Sequence, residues 1–515
     1  MRAERSTGGH MIILAIDEGT TGTKCMCFDR DQQPLSSVSL EFKQHYPQPG
    51  WVEHDAQEIW QRTLEAARRA LAEAGAGAAD VMAVGITNQR ETTVIWDRES
   101  GEPVRNAIVW QCRRSADICR RCVEEGLEDT VREKTGLVLD PYFSGTKLTW
   151  VMENEPEIAR RAEAGELCFG TMDSWLIYRL TGGRVHATDV SNASRTLLFN
   201  IRDLTWDPEL ASMCSIPMSM LPEVKESCGV FGETDPESFL GITAPIAGVA
   251  GDQQAALFGQ ACFHPGMTKN TYGTGSFVLM NIGGEPRISR KGLLTTVAWS
   301  MGGRVTYAME GAIFITGAAV NWLRDGLRII DDASEVDELA AQVDDTDGVY
   351  FVPAFVGLGA PHWDPGARAL LIGMTRGTNR SHIARAVIES MALQTADVVE
   401  VMRDEASVPL KELRVDGGAS VMDMLLQYQA DLLGVPVRRP VISETTSLGA
   451  ALLAGLATGF WESMREVEER WKLDREAMPD SSAGERVSIM RRDWRRAVER
   501  SLDWAREDMA CEAGD

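Results

Sequence analysis

The chain has 515 residues, 44% hydrophobic and 25% charged, a length that exceeds one hydrophobic core and predicts two large domains in an ordinary globular protein. A net charge of −24 excludes a nucleic-acid backbone or an anionic membrane as the main partner, because both would be repelled. No apolar run reaches the roughly 20 residues of a bilayer span, and ten scattered cysteines fit reduced thiols, so a cytoplasmic protein is expected.

From the N-terminus, the apolar run at Met11 is too short for a signal peptide and ends in Asp17; Met11 is an alternative start. Met11–Asp17, Lys24–Phe28 and Leu35–Phe42 read as strands of an antiparallel meander. Gln57–Ala74 has helical spacing and stops at Gly75, and Val81–Thr87 returns as a strand. The stretch "CRRSADICRRC" (112–122) reads as one arginine-rich helix rather than a thiol or zinc site, despite the C-x-x-C of Cys119 and Cys122. A boundary is expected near Gly259–His264, giving domains 1–260 and 261–515 with no Pro/Ser-rich linker between them. Beyond it, Gly266–Met280 is strand-like with a glycine turn, and Gly311–Val320 and Leu448–Ala457 look like packed helices. Ser381–Arg403 reads as a serine-capped amphipathic helix, and Leu413–Asp416 as a strand entering a glycine turn. The class is α/β, with polar turns at strand ends facing each other across a cleft.

The first of these turns is "IDEGTTGTK" (Ile16–Lys24). It is not a Walker loop, since its glycines are too close and Cys25 follows the lysine. Glycines such as Gly22 let backbone N–H groups approach an anion, and Thr20, Thr21 and Lys24 add donors. Asp17 would hold Mg²⁺, largely through water. Alone, the stretch reads equally as a hairpin turn with a satisfied aspartate. A second turn, "NTYGTGS" (Asn270–Ser276), repeats the chemistry with Gly273 and Thr274, and "VDGGAS" (Val415–Ser420) adds a glycine shelf opening a helix. Together they describe a nucleotide, expected to be ATP, clamped between two halves. That architecture is shared by the actin, hexokinase and heat-shock chaperone superfamily.

Phosphoryl transfer to an alcohol needs a carboxylate to take the proton and groups to fix the acceptor. Asp252 in "GVAGDQQAALFG" ends a strand beside Gln253 and Gln254, which are placed to hold it. "NQRETT" puts Arg90 and Glu91 at another strand end, where a surface ion pair is the plain alternative. Trp110 and Phe277 are apolar walls for a small polyol or ordinary core.

With "GWVEHD", "GITNQRETT", "NAIVWQCRR", "GLVLDPYFSGTK", "SNASRTLLFN", "AGDQQAALFGQ", "NTYGTGSF", "LRVDGGAS" and "SLGAALLAGLA" in order, the chain resembles the glycerol kinases of the FGGY carbohydrate kinase family over nearly its whole length. The resemblance implies two actin-like (ribonuclease H-like) domains, each a mixed sheet flanked by helices, with the active site between them. It implies ATP, Mg²⁺ and glycerol, with sn-glycerol 3-phosphate as product, and a homo-oligomer. Asp252 is then the general base; Arg90, Glu91, Tyr142, Asp252 and Gln253 meet glycerol, with Trp110 and Phe277 as walls. Thr20, Thr21, Gly273 and Thr274 face the phosphates, and Gly317 and Gly418 the ADP moiety. The chain departs from the family at Lys24, where arginine is usual, and near adenine at Asn321 and Met422. It also lacks the G-G-T-R loop that binds fructose 1,6-bisphosphate and the phosphorylated histidine of some members. A kinase of another polyol or pentulose, or a non-catalytic actin-like ATP-binding module, are the alternatives.

Overall fold

The computed structural model describes residues 11–505. The outer ends of both expected domains, 1–10 and 506–515, lie outside the described residues.

Thirteen strands form one sheet. In chain order they are β1 (Ile12–Glu18), β2 (Gly22–Phe28), β3 (Pro34–Glu41), β4 (Val81–Asn88), β5 (Cys228–Glu233), β6 (Pro245–Gly251), β7 (Met267–Tyr272), β8 (Ser276–Gly283), β9 (Leu294–Met301), β10 (Arg304–Ile313), β11 (Glu412–Asp416), β12 (Val437–Pro440) and β13 (Leu473–Ala477). The spatial order is β13-β12-β11-β7-β8-β10-β9-β5-β6-β4-β1-β2-β3. Each half follows one plan. β1 pairs antiparallel with β2, and β2 with β3, before β4 and β6 join β1 in parallel. Likewise β7, β8, β10 and β9 form a meander, and β11 and β12 add in parallel to β7. One register pair, Cys228↔Met301, joins the halves at β5 and β9. This is the two-domain, actin-like arrangement.

Local sequence explains the elements. β1 is an unbroken apolar run buried at Ile12–Ile16, as suits a strand covered on both faces. Helix α1 (Ala56–Ala74) is capped by Asp55, whose carboxylate accepts from the Gln57 amide at 2.9 Å, and ends at Gly75 with φ 66°. The remaining helices used below are α2 (Ala116–Glu124), α3 (Asp252–Gly259), α4 (Gly317–Asn321), α5 (Arg380–Ala406), α6 (Asp423–Leu433) and α7 (Thr445–Thr458). Although late in the chain, α7 packs on α3 and on β1, β4 and β6. The helices touch main chain to main chain: a Cβ on Gly449 would lie 1.8 Å from the Ala255 carbonyl oxygen, and one on Gly259 1.9 Å from that of Thr445.

Three expectations need correction. Gly311–Val320 is not a helix: β10 runs to Ile313 and α4 begins at Gly317. Gly311 is small because α5 crosses the strand there, with Val398 Cγ1 2.4 Å from where a Cβ would sit. The arginine-rich stretch becomes helical only at Ala116, because Arg114 is drawn inward to Glu53 at 2.7 Å and over the Trp51 ring. The cap of α5 is Asn379, not Ser381; its side chain accepts from the Ser381 amide at 2.9 Å.

Candidate active site

Glu18, Asn88 and Gly251 are register partners across parallel β1, β4 and β6, so the first turn, Gln89–Glu91 and Asp252 leave the sheet side by side. Side chains brace the turn. Gln89 donates through its amide to the Glu18 carbonyl (2.6 Å) and through Nε2 to that of Gly19 (3.0 Å). Gln44 holds the Thr20 carbonyl, and Trp110 Nε1 donates to Thr20 Oγ1 at 2.9 Å. Thr21 is exposed at the tip. Gly22 is required, since a Cβ would meet the Leu40 carbonyl oxygen at 2.7 Å. Lys24 Nζ lies 2.5 Å from Glu444 Oε2, just ahead of α7. Asp17 Oδ2 accepts from Ser447 Oγ at 3.0 Å, and burial pushes its carboxyl up to about 6 against the pull of Lys24.

The second turn is seated on the start of α4. The Gly317 amide donates to the Gly273 carbonyl at 3.0 Å, and the Thr316 amide to that of Thr274 at 2.9 Å. A Cβ on Gly317 would lie 2.5 Å from the Gly273 oxygen, so glycine permits this contact. Gly273 and Thr274 are exposed, as are Gly418 and Asn321. Met422 is different: it is buried in the core of the second half.

The residues expected to hold the acceptor converge. Arg90 Nε lies 3.1 Å from Asp252 Oδ1, and Nη2 is 3.4 Å from the Tyr142 hydroxyl. Trp110 and Tyr142 meet edge to face at 5.4 Å, and the Arg90 guanidinium sits 5.8 Å from the Phe277 ring centre. Glu91 holds a left-handed backbone (φ 65°), a strained state for a non-glycine residue. The side chain of Asp252 is 30% exposed, against 1% for Glu91. The glutamines do not hold Asp252 as expected. Gln253 Oε1 accepts from Lys269 Nζ at 2.5 Å, and Gln254 turns to Thr296 and Arg90. Asp252 instead accepts from the Gln253 backbone amide at 2.6 Å.

Three charged residues were missed. Glu310 on β10 receives both Arg90 Nη atoms, Arg195 Nε donates to Glu91 at 2.7 Å, and Lys269 lies beside Gln253. Burial lowers the Lys269 ammonium to about 8. The available signal was a lone charge inside an apolar strand, as in "VTYAMEGAIF".

The N-terminal-domain model of the FGGY family of carbohydrate kinases matches residues 12–259, and its C-terminal-domain model matches 268–458. The chain belongs to the FGGY carbohydrate kinases. This FGGY kinase is 57% identical to glycerol kinase 2 of Thermotoga maritima, over 96% of this chain and 99% of that protein. It is 58% identical to the glycerol kinase of Symbiobacterium thermophilum, with the same coverage. Among solved structures, Plasmodium falciparum glycerol kinase with ADP superposes with a TM-score of 0.90 at 36% identity, covering 97% of this chain and 99% of that one. Gluconate kinase from Lactobacillus acidophilus, 22% identical with a TM-score of 0.86 over 95% and 97%, shares the fold of this FGGY kinase.

Proposed function

We propose that this FGGY kinase transfers the γ-phosphoryl group of ATP to glycerol, giving sn-glycerol 3-phosphate and ADP. The observation that carries the reading is Asp252. Of the carboxylates around Arg90 it is the most exposed, at 30%, while Glu310 is buried between two arginines and Glu91 has its Oε1 taken by Arg195. Relatives named glycerol kinase at 54–58% identity over 96% of the chain support it.

In this mechanism Asp252 accepts the proton of the attacking hydroxyl as the oxygen–phosphorus bond forms. Arg90 Nε, 3.1 Å from Oδ1, fixes where that carboxylate sits. Arg90, Glu91, Tyr142 and Gln253 meet the remaining hydroxyls, and Trp110 and Phe277 bound the carbon edge. Thr20, Thr21 and Gly22 on one side, and Gly273 and Thr274 on the other, offer donors to the phosphates; Gly317, Gly418 and Asn321 mark the adenosine side, and the Met422 side chain, buried in the core, does not.

Asp17 suits Mg²⁺, since its carboxyl is raised by burial and a cation beside it would restore the charged form. Among the described residues there is no group of three or more His, Cys, Asp or Glu able to cage a metal. Mg²⁺ would therefore be shared between Asp17, water and the nucleotide phosphates, neutralising charge on the transferred group. A cytoplasmic homo-oligomer, dimer or tetramer, belongs to the same reading; among the described residues no helix is long and apolar enough to cross a membrane.

The test is ADP release with MgATP against a panel of polyols and ketopentoses. Glycerol should be strongly preferred, because a site built to pair hydroxyls leaves polar groups unpaired with a mismatched substrate. Equal or better kcat/KM for xylulose or ribulose would replace glycerol by a pentulose. Nucleotide binding without transfer to any acceptor would mark a non-catalytic module.

A further inference from the structure

Arg90 and Glu91 are held by two residues to which the chemistry above gives no role. Glu310 receives Arg90 Nη1 and Nη2 at 2.5 and 3.0 Å and Arg195 Nη2 at 3.1 Å. Arg195 Nε donates to Glu91 Oε1 at 2.7 Å, and that oxygen lies 3.9 Å from Arg90 Nε. The four side chains close a ring of alternating charge, each 0–2% exposed. Against the burial that opposes it, Arg195 and Arg90 hold the Glu310 carboxyl down at about 2. Arg90, Glu91 and Arg195 come from the first half of the chain and Glu310 from the second.

Such a ring is a poor device for stability alone, because desolvating four charges offsets most of their attraction. It is a good device for placement. Both Nη atoms of Arg90 are committed to Glu310, so its Nε edge is fixed 3.1 Å from Asp252. Arg195 likewise pins Glu91, whose strained backbone needs an external hold, and the Ser144 hydroxyl donates to the Glu91 carbonyl at 3.0 Å.

We propose that Glu310 and Arg195 are positioning residues of the acceptor site, which act through Arg90 and Glu91 to set the hydroxyl pattern the kinase accepts. The proposal rests on the polyol-kinase reading. Glu310→Gln and Arg195→Lys keep size and part of the hydrogen bonding while loosening the ring. For each, kcat, the KM values for glycerol and ATP, and kcat/KM for glycerol relative to 1,2-propanediol are measured, with melting temperature as a control. The expected result is a rise of at least about tenfold in the KM for glycerol and a fall of at least about threefold in the preference over the diol, roughly the effect of one weakened polar contact. The KM for ATP should stay within about twofold, since the nucleotide meets other residues. Folded variants with an unchanged glycerol KM and preference would overturn the proposal. So would a lower kcat with both KM values unchanged, which marks a smaller active fraction. If Glu310→Gln does not fold, Glu310→Asp and Arg195→Lys decide; failure of all three would mark a purely structural ring and overturn it. If the wild type prefers another polyol, the glycerol reading fails by itself. The same comparison is then made with that polyol and its deoxy analogue.

Discussion

The Lys24 ammonium and the Glu444 carboxylate lie 2.5 Å apart, joining β2 to the approach of α7 across 420 residues of sequence. Both side chains are substantially exposed, so the pair contributes little to stability. It does place an anion against the one lysine of the turn Ile16–Lys24. Glu444→Gln should leave the melting temperature within about 2 °C and lower the KM for MgATP by about two- to fivefold, since Lys24 is then unopposed. A raised KM would show that Lys24 does not face the phosphates.

Asp252→Asn keeps size and removes the proton acceptor. General-base contributions are about 10² to 10⁴ in rate, so kcat should fall by that range with ATP binding little changed. Glu91 is a poor substitute because Arg195 already occupies its Oε1. Steady-state kinetics at saturating glycerol checks this, and a near wild-type kcat would unseat Asp252 as the base.

For Asp17, burial raises the folded carboxyl from 3.8 to about 6, so the folded chain binds this proton more tightly than the unfolded chain. The group's contribution therefore falls as pH rises between those values, and its full penalty persists above about 6. Without ligands, Asp17→Asn should raise the melting temperature by about 2 °C at neutral pH and give no gain below the unfolded pKa. The same variant should lose most of the stabilisation that MgATP gives the wild type. Thermal melts with and without MgATP at the two pH values read both effects; equal stabilisation by MgATP in variant and wild type would remove Asp17 from the metal site.

Gly449→Ala puts a Cβ into the Ala255 carbonyl oxygen, a clash only backbone movement relieves. The expected loss exceeds about 4 kcal/mol, seen as insolubility or a melting temperature lower by at least about 5 °C. Gly484→Ala, where nothing lies within 4 Å, is the control and should melt like the wild type.

Fructose 1,6-bisphosphate should not inhibit at millimolar concentration. Arg184 lies against "GETDPESFLGITAPIAG" (232–248), the stretch that lacks the G-G-T-R loop, and is already held by Asp235 and by the Glu233 carbonyl, each at 3.2 Å. A dose–response curve with sub-millimolar inhibition would place the inhibitor on another surface.

Much of the framework was legible because it is local. The strands at Ile12, Gly22 and Pro34 and the helix ending at Gly75 declare themselves by apolar period and glycine stops. The Arg90–Glu91 pair was legible as two charges at a strand end. What holds that pair was not, because Glu310 lies 220 residues from Arg90 and nothing near either one in sequence points to the other. Gly311 misled for a similar reason: its small size answers Val398 of a distant helix.

The single register pair between Cys228 and Met301 makes the sheet thinnest in hydrogen bonds where the halves join. Coupling between the halves therefore falls to other contacts: the Arg90–Glu310 pair and the packing of α7 on β1, β4 and β6.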